Sequence, residues 1–192
     1  MKVVANRYTA VLDACVILPA RKRDFLFSFH KVGLYRARWT KEIDDEWHRN
    51  LIKLKPELHD RIDRLRSFIS NDFEDCYVEN YSGLAADLEL PDEDDRHVIA
   101  AAIRCGAQAI VTDNLKDFPT SELEKYDIEA VTPDTFLSQT FELFPVQALS
   151  AVKVMRSRLK KSPQNVPEFI MSTTAAGLPR LAGELRKYVD YF

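Results

Sequence analysis

No stretch of this chain is apolar for anything near the roughly 20 residues that a bilayer-crossing helix needs, and its opening Met1-Lys2-Val3-Val4-Ala5-Asn6-Arg7 lacks the apolar core of a secretion signal. A cytoplasmic protein with no membrane partner is therefore expected. Cysteine is scarce. Cys15, Cys76 and Cys105 are odd in number, far apart and set in apolar stretches, which excludes a disulfide framework or a CxxC zinc site and predicts three small core residues. The four histidines show no zinc spacing, and His97 is expected to point away from Asp95. Charge of one sign is also nearly absent: a net −3 excludes a generally basic nucleic-acid coat but leaves room for local basic patches.

What the chain does have is 192 residues that are 46% apolar and 30% charged, enough for one substantial core and a small helical appendage. Short apolar runs alternate with helical patterns. Strands are predicted at 8 to 13, 33 to 38, 108 to 112 and 127 to 131, with a possible short strand at 76 to 78. Helices are predicted at 16 to 31, 40 to 54, 56 to 69 and 92 to 105, the last stopped by Gly106, with a brief one between Ser82 and Pro91. Thr132-Pro133 reads as an N-cap and N1 pair for a further helix. This βαβα rhythm predicts an α/β fold with a parallel sheet. From Pro145 the pattern is helical only, which divides the chain into a main domain over 1 to 144 and a helical extension over 145 to 192 packed on it.

Acids recur where strands should end or helices begin. Asp13 closes Tyr8-Thr9-Ala10-Val11-Leu12, Asp113 follows Ala109-Ile110-Val111-Thr112, and Asp92 to Asp95 precede the apolar run from Val98 to Ile103. Ligands of parallel α/β sheets bind at the carboxyl ends of the strands, so acids distant in sequence converge there. Three acidic corners on one sheet edge suggest a divalent-metal site, because Mg²⁺ and Mn²⁺ prefer hard oxygen ligands. Each acid also has a plainer reading: Asp13 as a helix N-cap, and Glu42, Asp44 and Asp45 as first-turn acids complementing a helix dipole. Asp92 and Asp95 share a helix face with Ile99 and Ala102, whereas Glu93 and Asp94 are expected to be solvated. Thr112, Asp113, Asn114 and Asp117 offer ligands or groups that orient them.

Leu12-Asp13-Ala14-Cys15-Val16-Ile17, an acid on the second helix, Asp92-Glu93-Asp94-Asp95-Arg96-His97-Val98 and Thr112-Asp113-Asn114-Leu115-Lys116-Asp117-Phe118-Pro119 together resemble, in order and spacing, the PIN-domain family over about residues 7 to 140. The resemblance implies a three-layer α/β/α fold with a central, mainly parallel sheet. It also implies an acidic pocket that binds Mg²⁺ or Mn²⁺ and hydrolyses RNA phosphodiester bonds. Many bacterial members resemble the VapC toxin of toxin–antitoxin pairs, which implies an antitoxin partner and a homodimer. Carried over residue by residue, the family's acids fall on Asp13, Glu46 and Asp95. The fourth is open among Asp113, Asn114 and Asp117, because this chain has Asn114 where the family usually has Asp, and Asp92 could assist.

Candidate contacts to RNA phosphates are Arg21, Lys22, Arg23, Arg36, Arg38 and Arg96, with a second basic stretch over Lys153 to Lys161. A haloacid-dehalogenase-like phosphatase would need Asp where Cys15 stands, and a response-regulator receiver would need an acidic pair where Asn6-Arg7 stands. The remaining alternatives are a degenerate PIN fold that binds RNA or protein without cutting it, and a PIN nuclease of RNA processing with no antitoxin.

Overall fold

Buried on both faces, the segment Thr9–Leu12 becomes a strand without any polar alternation, as interior strands of parallel sheets do. The computed structural model describes residues 8–84 and 90–192, so most of the brief helix expected after Ser82 lies outside the described residues. Four strands, β1 (Thr9–Leu12), β2 (Arg36–Arg38), β3 (Ala109–Val111) and β4 (Glu129–Val131), form one sheet in the order β2-β1-β3-β4. The sheet is parallel, with Ala10 beside Ala109, Leu12 beside Val111, and Ala109 beside Glu129. This is the α/β class of the PIN-like fold. The chain leaves β1 for one neighbour, β2, and later returns on its other side as β3. The strand order therefore reverses between β1 and β3, where open α/β sheets place their ligands.

The residues fall into two compact units. The first comprises residues 8–18 and 37–131 and carries the sheet. After β1 comes α1 (Ala14–Ile17), then Pro19 in extended backbone. The single helix expected over 16 to 31 is thus two, because proline lacks the N–H that would continue the first. Helix α3 (Lys41–Leu54) starts at Thr40, whose buried hydroxyl accepts the Ile43 N–H at 3.1 Å, and it buries Ile43 and Trp47. Helix α4 (His59–Asp72) packs against it. The expected strand at 76 to 78 is a single parallel bridge from Trp39 to Tyr77.

Helix α5 (Arg96–Cys105) has five consecutive buried residues, Val98 to Ala102, and packs on β1 and β3. Gly106 ends it with φ of +63°, a left-handed conformation that glycine adopts without a Cβ penalty. A short helix, α6 (Thr120–Leu123), precedes β4 and was not predicted.

The second unit joins residues 19–36 to residues 132–192. It contains α2 (Ala20–Lys31), α7 (Pro133–Leu143), α8 (Pro145–Ser157), α9 (Val166–Ala175) and α10 (Pro179–Arg186). Helix α7 starts at Thr132-Pro133 as expected, with the Thr132 hydroxyl accepting the Thr135 N–H. The aromatic core runs from Phe29 through Phe25 to Phe169 and Phe192, with successive ring centroids 6.2, 5.9 and 6.1 Å apart. Among the described residues, no helix is long and apolar enough to cross a membrane.

Candidate active site

Asp13 is the first residue beyond β1, and its N–H donates to the Val111 carbonyl at 3.1 Å, which carries the β1–β3 pairing one residue further. Thr112 is thereby set beside it. Asp13 is only 6% exposed. Its Oδ2 accepts two hydrogen bonds, from the Thr112 hydroxyl at 2.7 Å and from the Cys15 thiol at 2.9 Å. Thr112 is fully buried and its oxygen also accepts the Asn114 N–H at 3.0 Å. Burial first, and the Asp13 charge second, push the Cys15 thiol up to about 12, so it keeps the proton it donates. Oδ1 of Asp13 takes no hydrogen bond from the described residues.

The other acids share this environment. Glu46, half-buried on α3, is raised by burial and then by the Asp13 charge, while His97 and Arg49 act to lower it. Asp95 ends a 3-10 turn, Glu93–Asp95, that leads into α5. Its carboxyl is raised from 3.8 to about 7, by burial first and then by the charges of Asp13, Asp92, Asp117 and Glu46. Acids from four separate segments are therefore brought to bear on Asp95. Asp92, exposed, caps the turn by accepting the Asp94 N–H at 3.0 Å.

The loop after β3 divides its polar residues. The Asn114 side-chain amide donates to Asp117 Oδ2, and Asp117 is one of the charges acting on Asp95. Asp113 is exposed, donates its N–H to Cys15 Sγ at 3.3 Å, and is not among the charges that raise Asp95 or Glu46. Among the described residues, no three His, Cys, Asp or Glu side chains are within reach of one common ion as placed. The chemistry of the donors nonetheless fits Mg²⁺ or Mn²⁺: carboxylate oxygens, one buried and uncommitted at Asp13, in a setting whose mutual repulsion a cation relieves.

Some residues in this unit depart from the sequence reading. Cys15 and Cys105 are half-buried, and Cys15 is bonded to an acid, where core residues were expected. His97 lies near enough to Glu46 to act on it, in the lowering direction. Its Nδ1 lies 2.7 Å from the Asp94 carbonyl, an acceptor only, so that nitrogen carries the proton. Asp44 is buried, accepting from Trp47 Nε1 at 2.9 Å and Arg66 Nε at 2.8 Å, where only a first-turn acid complementing the helix dipole was expected. The spacing of Arg49, one turn after Glu46 on the same helix, was the signal that could have marked it as a cation beside the acids.

Of the expected phosphate contacts, Arg38 donates to the Asp75 carbonyl and Arg96 pairs with Glu93 at 3.2 Å. Arg21, Lys22, Arg23 and Arg36 belong to the second unit. There Arg21 donates to Gln164 and Ser172 at 2.9 and 3.0 Å and lies over the Phe169 ring, Arg23 is buried, and Arg36 is exposed.

Residues 9–116, more than half of the chain, match the PIN domain family. The chain belongs to the PIN-domain family. That match contains Asp13, Glu46, Asp95 and Thr112 and stops one residue short of Asp117. Residues 133–187 match the VapC50 C-terminal domain. A curated relative, named "Putative ribonuclease VapC50", from Mycobacterium tuberculosis (strain ATCC 25618 / H37Rv), is 37% identical over 93 residues, which are 48% of this chain and 54% of that protein. The chain thus spans about half the length of the curated relative it matches. No solved structure matches this PIN-domain protein.

Proposed function

We propose that this protein is a divalent-metal-dependent endoribonuclease and the toxin of a VapBC-type toxin–antitoxin pair. The observation that carries the reading is the elevation of Asp95 to about 7, by burial first and then by Asp13, Asp92, Asp117 and Glu46, at the reversal point of a PIN-domain sheet. Perturbed acids gathered at such a point are characteristic of catalytic sites. The similarity to a protein named as a ribonuclease supplies the substrate class. Mg²⁺ or Mn²⁺, when bound, lowers the pKa of a water and neutralises charge on the phosphate being attacked.

The chain's own residues divide the remaining work. Asp13 and Asp95 hold the cation, with Glu46 and Asp117 completing its shell directly or through water, and Asp92 adding negative charge at the rim. Asp113 stands outside the cluster, and Asn114 contributes by orienting Asp117. Arg49 and His97 offset part of the rise at Glu46, and Arg49, exposed, is well placed to meet a substrate phosphate. The protein is further proposed to act in the cytoplasm as a homodimer that a cognate antitoxin inhibits.

Calorimetry with Mn²⁺ and cleavage of a total-RNA pool, on wild type and four variants, test this. Asp13→Asn and Asp95→Asn should abolish both binding and cleavage. Asp117→Ala should weaken both by at least about 10-fold, and Asp113→Ala should leave both near wild type. Wild-type protein that neither binds Mn²⁺ nor cuts RNA overturns the reading in favour of a non-catalytic binding module.

A further inference from the structure

Asp13 receives its two hydrogen bonds on a single oxygen. Thr112 and Cys15 both donate to Oδ2, at 2.7 and 2.9 Å. A carboxylate only accepts, so the proton between Cys15 and Asp13 belongs to the thiol. Each donor is itself fixed by a backbone N–H from the loop after β3: Asn114 N–H to the Thr112 oxygen at 3.0 Å, and Asp113 N–H to the Cys15 sulfur at 3.3 Å. The two relays are parallel, and the sulfur also stands 3.4 Å from the Thr112 oxygen. Together they fix the carboxylate plane and reserve Oδ1.

Packing does not account for this arrangement. A half-buried small residue chosen only to fill space has no reason to direct its polar atom at the one buried acid of the sheet edge while accepting a loop N–H. A carboxylate with both oxygens free rotates about its last torsion, which is broad. With Oδ2 held by two donors, that rotation is closed and Oδ1 is left without a hydrogen bond from the described residues.

We infer that Cys15 is a positioning residue, whose thiol, with Thr112, holds Asp13 so that Oδ1 alone is presented to a divalent cation. The inference rests on the metal-dependent reading above, in that the cation is what Oδ1 meets. Groups that orient a metal ligand commonly contribute 10- to 100-fold to affinity. Cys15→Ala removes the donor with little change in volume, and Cys15→Ser keeps it.

The discriminating experiment is Mn²⁺ titration of full-length wild type, Cys15→Ala, Cys15→Val and Cys15→Ser, with amide hydrogen exchange of Asp113 followed by NMR in metal-free samples of each. Positioning predicts Mn²⁺ affinity about 10-fold weaker in Cys15→Ala and Cys15→Val, with Cys15→Ser restoring it to within about threefold, and faster Asp113 exchange in the same two variants only. A packing role predicts the opposite order, with Ala and Val tolerated and Ser the worst, and that order overturns the inference. The exchange arm decides the matter even if wild type binds no Mn²⁺. In that case the metal-dependent reading fails by itself, whereas Asp113 exchange unchanged in Cys15→Ala removes Cys15 from the relay.

Discussion

The hydroxyl of Thr112 donates to Oδ2 of Asp13 at 2.7 Å across 99 residues of sequence. The contact is a product of sheet register, since Leu12 lies beside Val111 and the next residue on each strand is the one that carries the polar group. A strand-end acid is thus oriented by the neighbouring strand, and the site's geometry depends on β1–β3 pairing more than on any loop.

Removing that hydroxyl tests how much depends on it. Thr112→Val should weaken Mn²⁺ binding by about 10-fold or more, and should lower stability by about 1–3 kcal/mol because the Asn114 N–H loses its acceptor in a buried setting. Thr112→Ser should retain most of both. Calorimetry and urea denaturation check the two effects separately, and equal behaviour of Val and Ser variants would show that the hydrogen bond is dispensable.

Asp95 makes stability depend on pH in a definite direction. Its carboxyl is raised from 3.8 to about 7 in the folded protein, by burial and by four neighbouring acids. Between those values the folded state holds a proton that the unfolded state has released. Stability of metal-free protein should therefore fall as pH rises from about 4 to 7 and level off above. Asp95→Asn should remove the penalty, unfolding at a higher temperature than wild type at pH 8 and nearly the same temperature at pH 4. Because the cation must displace the same proton, Mn²⁺ should bind wild type more tightly at pH 8 than at pH 6. Thermal scans with a chelator, and calorimetry at the two pH values, read these out.

Asp44 predicts a different kind of effect. It is buried between Trp47 and Arg66, and Arg66 also reaches Asp45. Arg66→Ala leaves a buried carboxylate without its cationic partner, which should cost about 3 kcal/mol. Asp44→Ala together with Arg66→Ala should cost less than the two single changes added. Mn²⁺ affinity should stay at the wild-type value, since Asp44 is not among the charges acting on Asp95 or Glu46. Denaturant titrations of the three variants give the coupling energy.

The strand ends and the acids upon them were legible in the sequence because both are local signals. An apolar run that stops at Asp13 or at Thr112-Asp113 announces a strand end, and parallel topology does the rest. Glu46 needed the family resemblance, as nothing in its helix pattern separated it from Asp44. The residues that were misread, Cys15 and Asp44 among them, are those whose meaning lies in a partner far along the chain: Thr112 and Arg66. Periodicity reports which face of an element is apolar and is silent about which polar atom waits opposite. The fourth acidic position stayed open for a related reason, since what distinguishes Asp117 from Asp113 is its bond to Asn114 and its action on Asp95, a residue some twenty positions away.

The grouping of residues 19–36 with 132–192 has a consequence for how the protein comes into being. Helix α2 sits in sequence between β1 and β2 but packs against α7 and α8, and half of the chain separates Lys31 from Pro133. As the polypeptide leaves the ribosome, the apolar face with Phe25, Leu26 and Phe29 waits for its covering helices until about a hundred further residues have been made. Every acid of the cluster will have been synthesised by then. Synthesis of the acids and the covering of α2 are thereby separated in time, α2 being buried only once α7 and α8 have followed.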